Sequence, residues 1–265
     1  MHEPIVSIVM SVFNEEEHLA NTIDSCLNQT FERFELIIID DGSTDSSKDI
    51  LSSYQKKDSR IRVIRQKNSG LAASLNTGIS EARGELIARM DADDISLIDR
   101  LEKQVKFMKQ HPSVDVLGTA AFLRSVCGKD LGVIKKPKEH ASIVRVMHKE
   151  CPFIHPSVVM RRKVIVSVGG YNEKVKRAQD YELWGRLFKE FQFHNLQEPL
   201  IVYTFTERLS LISIIQAALI RVVVGWRLGK PIAASLRACL NVFIGVLSIC
   251  RLHRSGASKG RFRRN

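Results

Sequence analysis

Cysteine is scarce in this chain, and its five copies (Cys26, Cys127, Cys151, Cys239 and Cys250) are odd in number and far apart. No Cys-x-x-Cys pair occurs, so neighbouring residues supply neither a zinc cage nor a dithiol redox centre. That usage suits a reducing compartment. The opening Met1-His2-Glu3-Pro4 runs straight into a strand pattern without a charged region or cleavable leader, so a cytoplasmic protein is expected. Neither Gly-x-Gly-x-x-Gly nor Gly-x-x-x-x-Gly-Lys-Ser/Thr is present, which argues against a dinucleotide fingerprint and a phosphate loop. Acids are almost missing from the end: from Thr206 to Asn265 eleven Lys or Arg face only Glu207, a net +10 out of +11 for the whole chain. The first 205 residues are nearly neutral at +1, so the charge speaks for a partner of the C-terminal segment and not for the fold of the body.

What is present is a chain of 265 residues, 44% hydrophobic, able to bury one large core with an appendage. Ile5 to Val12 is apolar and β-branched almost throughout, as in a parallel strand covered on both faces, and stops at Phe13-Asn14. A helix is predicted over Glu15 to Asn28, where three acids open a pattern of Leu19, Ile23, Cys26 and Leu27. A second strand, Phe34 to Ile39, ends in Asp40-Asp41-Gly42-Ser43-Thr44-Asp45, with Ser43 or Thr44 able to cap a helix starting near Asp45. Ile61 to Ile64, Leu71 to Ala82 and Leu86 to Met90 continue the alternation as strand, helix and strand. Such a β-α-β series predicts a parallel sheet with right-handed crossovers and its loops gathered at one edge, the edge where open α/β sheets carry ligands.

The last of these strands stops in Asp91, Asp93 and Asp94. Like charges so close repel, and they would repel a phosphate too unless a divalent cation, Mn²⁺ or Mg²⁺, bridged the oxygens. An Asp-x-Asp loop thus points to a metal-diphosphate site, with a solvated acidic turn as the plain alternative. Phe13 offers an aromatic face for a base or a core side chain, and Asp41 an acceptor for a base N–H or part of a turn. Downstream, a capping box at Ser96 and Asp99 predicts a helix from Ser96 to Lys109. Val114 to Leu123 reads as a strand pair, Lys135 to His148 as a basic connection with a short helix, and Ser157 to Met160 as a strand. Asp180 opens a helix predicted over Tyr181 to Phe191, where a carboxylate would ordinarily serve the helix dipole. His155 is a candidate phosphate contact or a structural histidine.

Five stretches together resemble the family-two inverting glycosyltransferases with the GT-A fold: Ser7 to Asn14 (SIVMSVFN), Phe34 to Asp45 (FELIIIDDGSTD), Asn68 to Gly78 (NSGLAASLNTG), Gly84 to Gly118 with RMDADD, and His155 to Arg186 with GGYNE and QDYELWGRL. The resemblance implies an α/β fold of GT-A type, a mixed, largely parallel sheet flanked by helices, carrying a C-terminal helical basic appendage. It implies transfer of a sugar from a nucleotide diphosphate, a UDP-sugar first, to an acceptor hydroxyl in bacterial polysaccharide or lipid-linked oligosaccharide synthesis. Residue by residue, Phe13 matches the base-stacking position, Asp41 the uracil-binding one, Asp91 and Asp93 the metal and nucleotide-sugar carboxylates, with Asp93 the chief metal ligand, and Asp180 the catalytic base. The family commonly has Glu-Asp where this chain has Gln179-Asp180. Residues 1–205 would form the catalytic domain, with a nucleotide-sugar-binding half over 1–95 and an acceptor half over 96–205, and 206–265 a basic amphipathic segment.

In that segment Leu209 to Leu228 and Ile232 to Cys250 are long apolar stretches, but Arg221, Arg237 and Asn241 interrupt them. A central arginine costs about 2.5 to 3.5 kcal/mol on insertion scales, so helices lying on an anionic membrane surface are expected in place of spans, with packing on the catalytic body as the alternative. Each Lys or Arg of the run Arg251 to Arg264 adds about 1 kcal/mol near an anionic leaflet, which places the chain peripherally on the cytoplasmic face of an inner membrane. Apolar residues interleave the tail, not an aromatic stacking platform, so nucleic acid is disfavoured as a partner. The rival readings are a magnesium-dependent Asp-x-Asp phosphatase with Asp91 as nucleophile, which lacks the usual Thr or Val two residues after the second Asp, and a non-enzymatic protein that binds membrane or nucleic acid through its tail.

Overall fold

The computed structural model describes residues 3–205, 211–233, 235–240 and 242. The first half is the predicted alternation: β1 (Val6–Val12), α1 (Leu19–Leu27), β2 (Phe34–Asp40), α2 (Ser47–Lys57), β3 (Ile61–Arg65), α3 (Leu71–Glu81) and β4 (Leu86–Asp91). Then come β5 (Ile95–Ser96), α4 (Arg100–Gln110), β6 (Val114–Ser125), β7 (Asp130–Ile134), α5 (His140–Val146), a 3₁₀ turn (His155–Ser157), β8 (Val159–Arg161), α6 (Arg162–Ser167), α7 (Gln179–Leu187), β9 (Gln192–Phe205) and α8 (Leu211–Arg227). The strands form one sheet in the order β3-β2-β1-β4-β8-β6-β9-β5, with β7 pairing β6 at the side. β3, β2, β1 and β4 run parallel, β8 is antiparallel to β4 and β6, and β6 and β9 are parallel to each other. This is the mixed, largely parallel sheet of a GT-A fold.

Successive residues of a strand point to opposite faces, and here both faces are covered. Val9, Ile37, Ile39 and Ile87 join α3 and α7 in one apolar layer, while Ile8, Met10, Leu36, Ile38, Leu86 and Met90 join α1 and α4 in the other. Filling two layers is why these strands read as unbroken apolar runs. At about 1.5 to 3 kcal/mol per fully buried large aliphatic side chain, the sheet centre is the main source of stability.

Several helix starts differ from expectation. α1 begins at Leu19 and not at Glu15, and the amides of Glu15 and Glu16 donate instead to Ser47 Oγ (3.0 Å) and Asp45 Oδ2 (3.1 Å) at the start of α2. The capping box at Ser96 and Asp99 does not form. Ser96 lies in β5 opposite Ile201 of β9, its hydroxyl accepts from Gln29 Nε2 (3.1 Å), and α4 starts at Arg100 without a side-chain cap. Tertiary strand pairing has overridden local capping preference. Ser43 and Thr44 do not cap either; α2 starts at Ser47, and both residues bind Asn14. The expected strand pair at Val114 to Leu123 is one long strand, with β7 as its partner. The helix opened by Asp180 spans Gln179–Leu187, starting and ending earlier than predicted.

The C-terminal apolar stretches are described only in part. α8 packs one face on α7: Ile214, Ala218, Arg221 and Val224 are buried. No helix among the described residues is long and apolar enough to cross a membrane. The Ile232 to Cys250 stretch beyond Val242, and the basic run Arg251 to Arg264, lie outside the described residues.

Candidate active site

The carboxyl edges of β1, β2 and β4 converge because register fixes them side by side: Ser11 pairs with Asp91 and Val12 with Asp40. Phe13 leaves β1 at this edge and is 46% exposed, an aromatic face open to solvent. Asn14 follows with φ 55°, in the left-handed region that Asn tolerates. Its amide donates to Ser43 Oγ (3.2 Å) and its Oδ1 accepts from the Thr44 amide (2.7 Å), so the two exit loops are tied together.

Asp41 is buried, 2% exposed, and accepts three hydrogen bonds from the 66–70 loop: Gln66 Nε2 (2.8 Å) and the Ser69 amide (2.9 Å) at Oδ1, and the Gly70 amide (2.8 Å) at Oδ2. The tight loop between needs Gly42, whose φ of +81° suits glycine and whose missing Cβ would lie 2.9 Å from the Asn68 amide. Asp41 thus links the end of β2 to the loop that follows β3.

Asp91, Asp93 and Asp94 each place a carboxylate oxygen within 4.8 Å of the others. Their loop is held from two sides. Thr22 of α1 donates to the carbonyls of Ala92 (2.8 Å) and Asp94 (2.8 Å), and Thr204 of β9 donates its hydroxyl to the Asp93 carbonyl (2.6 Å) and its amide to Asp94 Oδ1 (2.7 Å). Asp91 is ion-paired to the buried Arg89, two residues earlier on β4. Burial and then the Asp91 charge push the Asp93 carboxyl upward, and burial followed by Asp91 and Asp93 pushes Asp94 well above the usual range.

Glu15 is a member of this group that the sequence reading assigned only to a helix start. Burial, then the charges of Asp93 and Asp91, raise its carboxyl to about 7. No sequence periodicity marks it, because its closeness to Asp93 depends on β1 and β4 being neighbours in the sheet.

Asp180 stands at the start of α7, half-buried, just after Ala178, which has a left-handed φ of 55° without being glycine. Its Oδ2 accepts from the Cys151 thiol (3.3 Å). Burial raises its pKa, opposed by that bond, by the Tyr181 amide and by the Arg89 charge. The turn before α7 is pinned to α3 by Asn76, whose Oδ1 accepts from the Tyr171 amide (2.8 Å) and whose Nδ2 donates to the Tyr171 carbonyl (2.9 Å). Burial raises the pKa of the Tyr171 hydroxyl, the Arg89 charge opposes it, and the Asp180 and Asp91 charges add to it, so the α7 carboxylate and the Asp-x-Asp loop share one electrostatic neighbourhood around Arg89. His155 belongs to its frame: Nε2 is 2.7 Å from the Tyr171 hydroxyl, and burial with the Arg89 charge keeps the ring neutral. The structure gathers Phe13, Asp91, Asp93 and Asp180 along the β1-β4-α7 side, with Asp41 one strand outward under the adjoining loop.

The donor set is all carboxylate oxygen, Asp94 Oδ2 is buried without a hydrogen-bond partner, and Glu15, Asp93 and Asp94 all hold their protons too tightly for bare carboxylates. A hard divalent cation fits such a set.

Residues 7–170 match the glycosyl transferase family 2 model. An uncharacterized glycosyltransferase of Methanocaldococcus jannaschii is 36% identical over 78% of this chain and 73% of its own length. The putative glycosyltransferase EpsE of Bacillus subtilis is 39% identical over 74% and 72%, and the O-antigen biosynthesis glycosyltransferase WbnJ of Escherichia coli 33% identical over 75% and 79%. Among solved structures, S. aureus TarS in complex with UDP superposes with a TM-score of 0.67 at 20% identity, covering 84% of this chain and 64% of that one. The mannosyltransferase PcManGT of Pyrobaculum calidifontis, in complex with GDP-Man and Mn²⁺, gives a TM-score of 0.63 at 17% identity, covering 99% and 82%. These likenesses leave no room for the phosphatase and non-enzymatic alternatives, and the chain belongs to glycosyl transferase family 2.

Proposed function

We propose that this glycosyltransferase moves a sugar from a nucleotide diphosphate, a UDP-sugar first, to an acceptor hydroxyl with inversion at the anomeric carbon. The observation that carries the reading is the pairing of one oxygen-only carboxylate cluster, Asp91, Asp93 and Asp94, with a separate carboxylate, Asp180, around the shared Arg89. Asp93 would be the chief ligand of a bound Mn²⁺ or Mg²⁺, and Asp91 would contact the ion or the nucleotide-sugar. When bound, the ion would neutralise charge developing on the departing diphosphate. PcManGT, similar in fold, was solved with GDP-Man and Mn²⁺, which supports the use of a divalent ion.

The chain's own residues do the rest. Phe13 offers its exposed ring for base stacking, and Asp41 sets the 66–70 loop and stands as the acceptor for a base N–H. Asp180 takes the acceptor proton as the hydroxyl attacks, and the burial that raises its pKa makes it a better base than an exposed aspartate. Catalysis belongs to 1–205, with 206–265 as a basic appendage. The acceptor is a glycan or lipid-linked hydroxyl of bacterial polysaccharide synthesis, the setting named for WbnJ. An anionic membrane surface, reached from its cytoplasmic face, suits the charge of the tail.

A screen of UDP- and GDP-sugars with Mn²⁺ or Mg²⁺, read by thermal shift and then by release of the nucleoside diphosphate, tests this. A metal-dependent rise in Tm with one donor, lost in Asp93→Ala, is expected; equal stabilisation of both proteins in chelator would overturn it.

A further inference from the structure

α8 is buried on one side only. Its inner face packs on α7, where Val224 is wholly buried against Gly185, the Arg221 guanidinium lies 6.0 Å over the Tyr181 ring, and Arg227 Nη1 reaches Glu182 Oε1 at 3.6 Å. Its outer face presents Ile215, Leu219, Val223 and Trp226 to solvent, at spacings of four, four and three that keep them on one stripe. Leu219 is 61% and Trp226 67% exposed. The chain then turns at Gly229 (φ 69°) and continues with Ile232, Leu236 and Leu240, again exposed at every fourth residue.

We infer that this outer stripe is the docking face of the protein on an anionic lipid bilayer, so that α8 lies flat between the membrane and the catalytic helix α7. The reading deepens the peripheral placement proposed above by naming the surface that meets the lipid. Three observations carry it. An aromatic side chain with two-thirds of its surface in solvent beside aliphatic neighbours is the composition of an interfacial helix. The flanking charges, Lys230 and Arg237, have one sign, and no acid follows Glu207 anywhere in the sequence. That charge matches a negative surface and opposes a second copy of this chain, whose stripe would bring the same cations face to face. No helix among the described residues is long and apolar enough for a span, which fits a helix riding at the surface.

Co-sedimentation of the full chain with vesicles tests the assignment without donor or acceptor, so its result is independent of the transfer reaction. Wild type should bind phosphatidylcholine–phosphatidylglycerol vesicles at low salt and leave phosphatidylcholine vesicles unbound. Leu219→Glu with Trp226→Glu should weaken binding by at least about tenfold, since each introduced charge opposes burial in the interface. The milder Leu219→Ser with Trp226→Ser should weaken it in the same direction, and circular dichroism melts check that both variants fold. Unchanged vesicle binding in folded variants overturns the proposal. So does wild type that ignores anionic vesicles but sediments as a dimer that the same substitutions split.

Discussion

The Cys151 thiol donates a hydrogen bond to Asp180 Oδ2 over 3.3 Å, so the carboxylate at the start of α7 is oriented by a residue outside its own helix. Burial, then the Asp180 charge, push the thiol pKa well up, which keeps the proton on sulfur and the bond intact at neutral pH. Cys151→Ala removes a partner that favours the ionised carboxylate. The acid limb of the kcat profile should then move to higher pH, whereas Cys151→Ser, which keeps a donor, should move it less. A pH–rate series on the three proteins decides; identical limbs would show that the thiol only fills space.

Asp180→Asn keeps the size and the helix-start preference of the residue but cannot take a proton. A positioned general base contributes about 10²- to 10⁴-fold, so kcat for transfer should fall by that order while donor affinity persists. If Asp180 were only a cap, the Asn variant would turn over normally, because Asn caps as well as Asp does. Measuring kcat beside donor Kd separates the two.

The acids beside the candidate metal site also set a pH dependence of stability. Glu15, Asp93 and Asp94 have raised pKa values in the fold, so the folded protein binds more protons than the unfolded chain. In chelator the contribution of these acids to stability should therefore fall as pH rises from the ordinary carboxylate range through about 7, the value reached by Glu15, while the buried neutral His155 contributes with the opposite sign. Mn²⁺ should flatten that slope by replacing protons with a cation. The difference in Tm between wild type and Glu15→Gln in chelator, followed across this window, checks the sign, and a wild type that gains on the variant toward pH 7 would refute it.

The contact of α8 with α7 can be probed at Gly185, where an added side-chain carbon would lie 2.6 Å from Val224. Gly185→Ala should cost about 1 to 3 kcal/mol by overpacking, and Val224→Ala should partly restore the loss by making room. Additive losses in the double variant would mean that the two helices do not share this contact.

Much of the site was legible because the β-branched runs and their abrupt acidic endings report strands and strand ends directly. Phe13, Asp41 and Asp91 could be placed on one edge from alternation alone. Neighbourhood across the sheet could not. Glu15 joins the aspartates because β1 lies beside β4, and the Thr204 amide reaches Asp94 from 110 residues away. Cys151 carries no local signal, since its partner stands 29 residues later on another element. Ser96 misled because the capping box it spells is weaker than the ladder that β5 makes with β9. The inner face of α8 was hidden for a related reason: its apolar residues surround the helix, and only the presence of α7 shows which ones are covered.

Arg89 has a further consequence for the site. Asp91, Asp93 and Asp94 crowd like charge at one sheet edge. A buried guanidinium on β4, paired with Asp91 and felt by Asp93, Asp94 and Asp180, supplies a resident counter-charge. That charge belongs to the fold, so part of the site's electrostatic balance is built into β4 whatever the site binds.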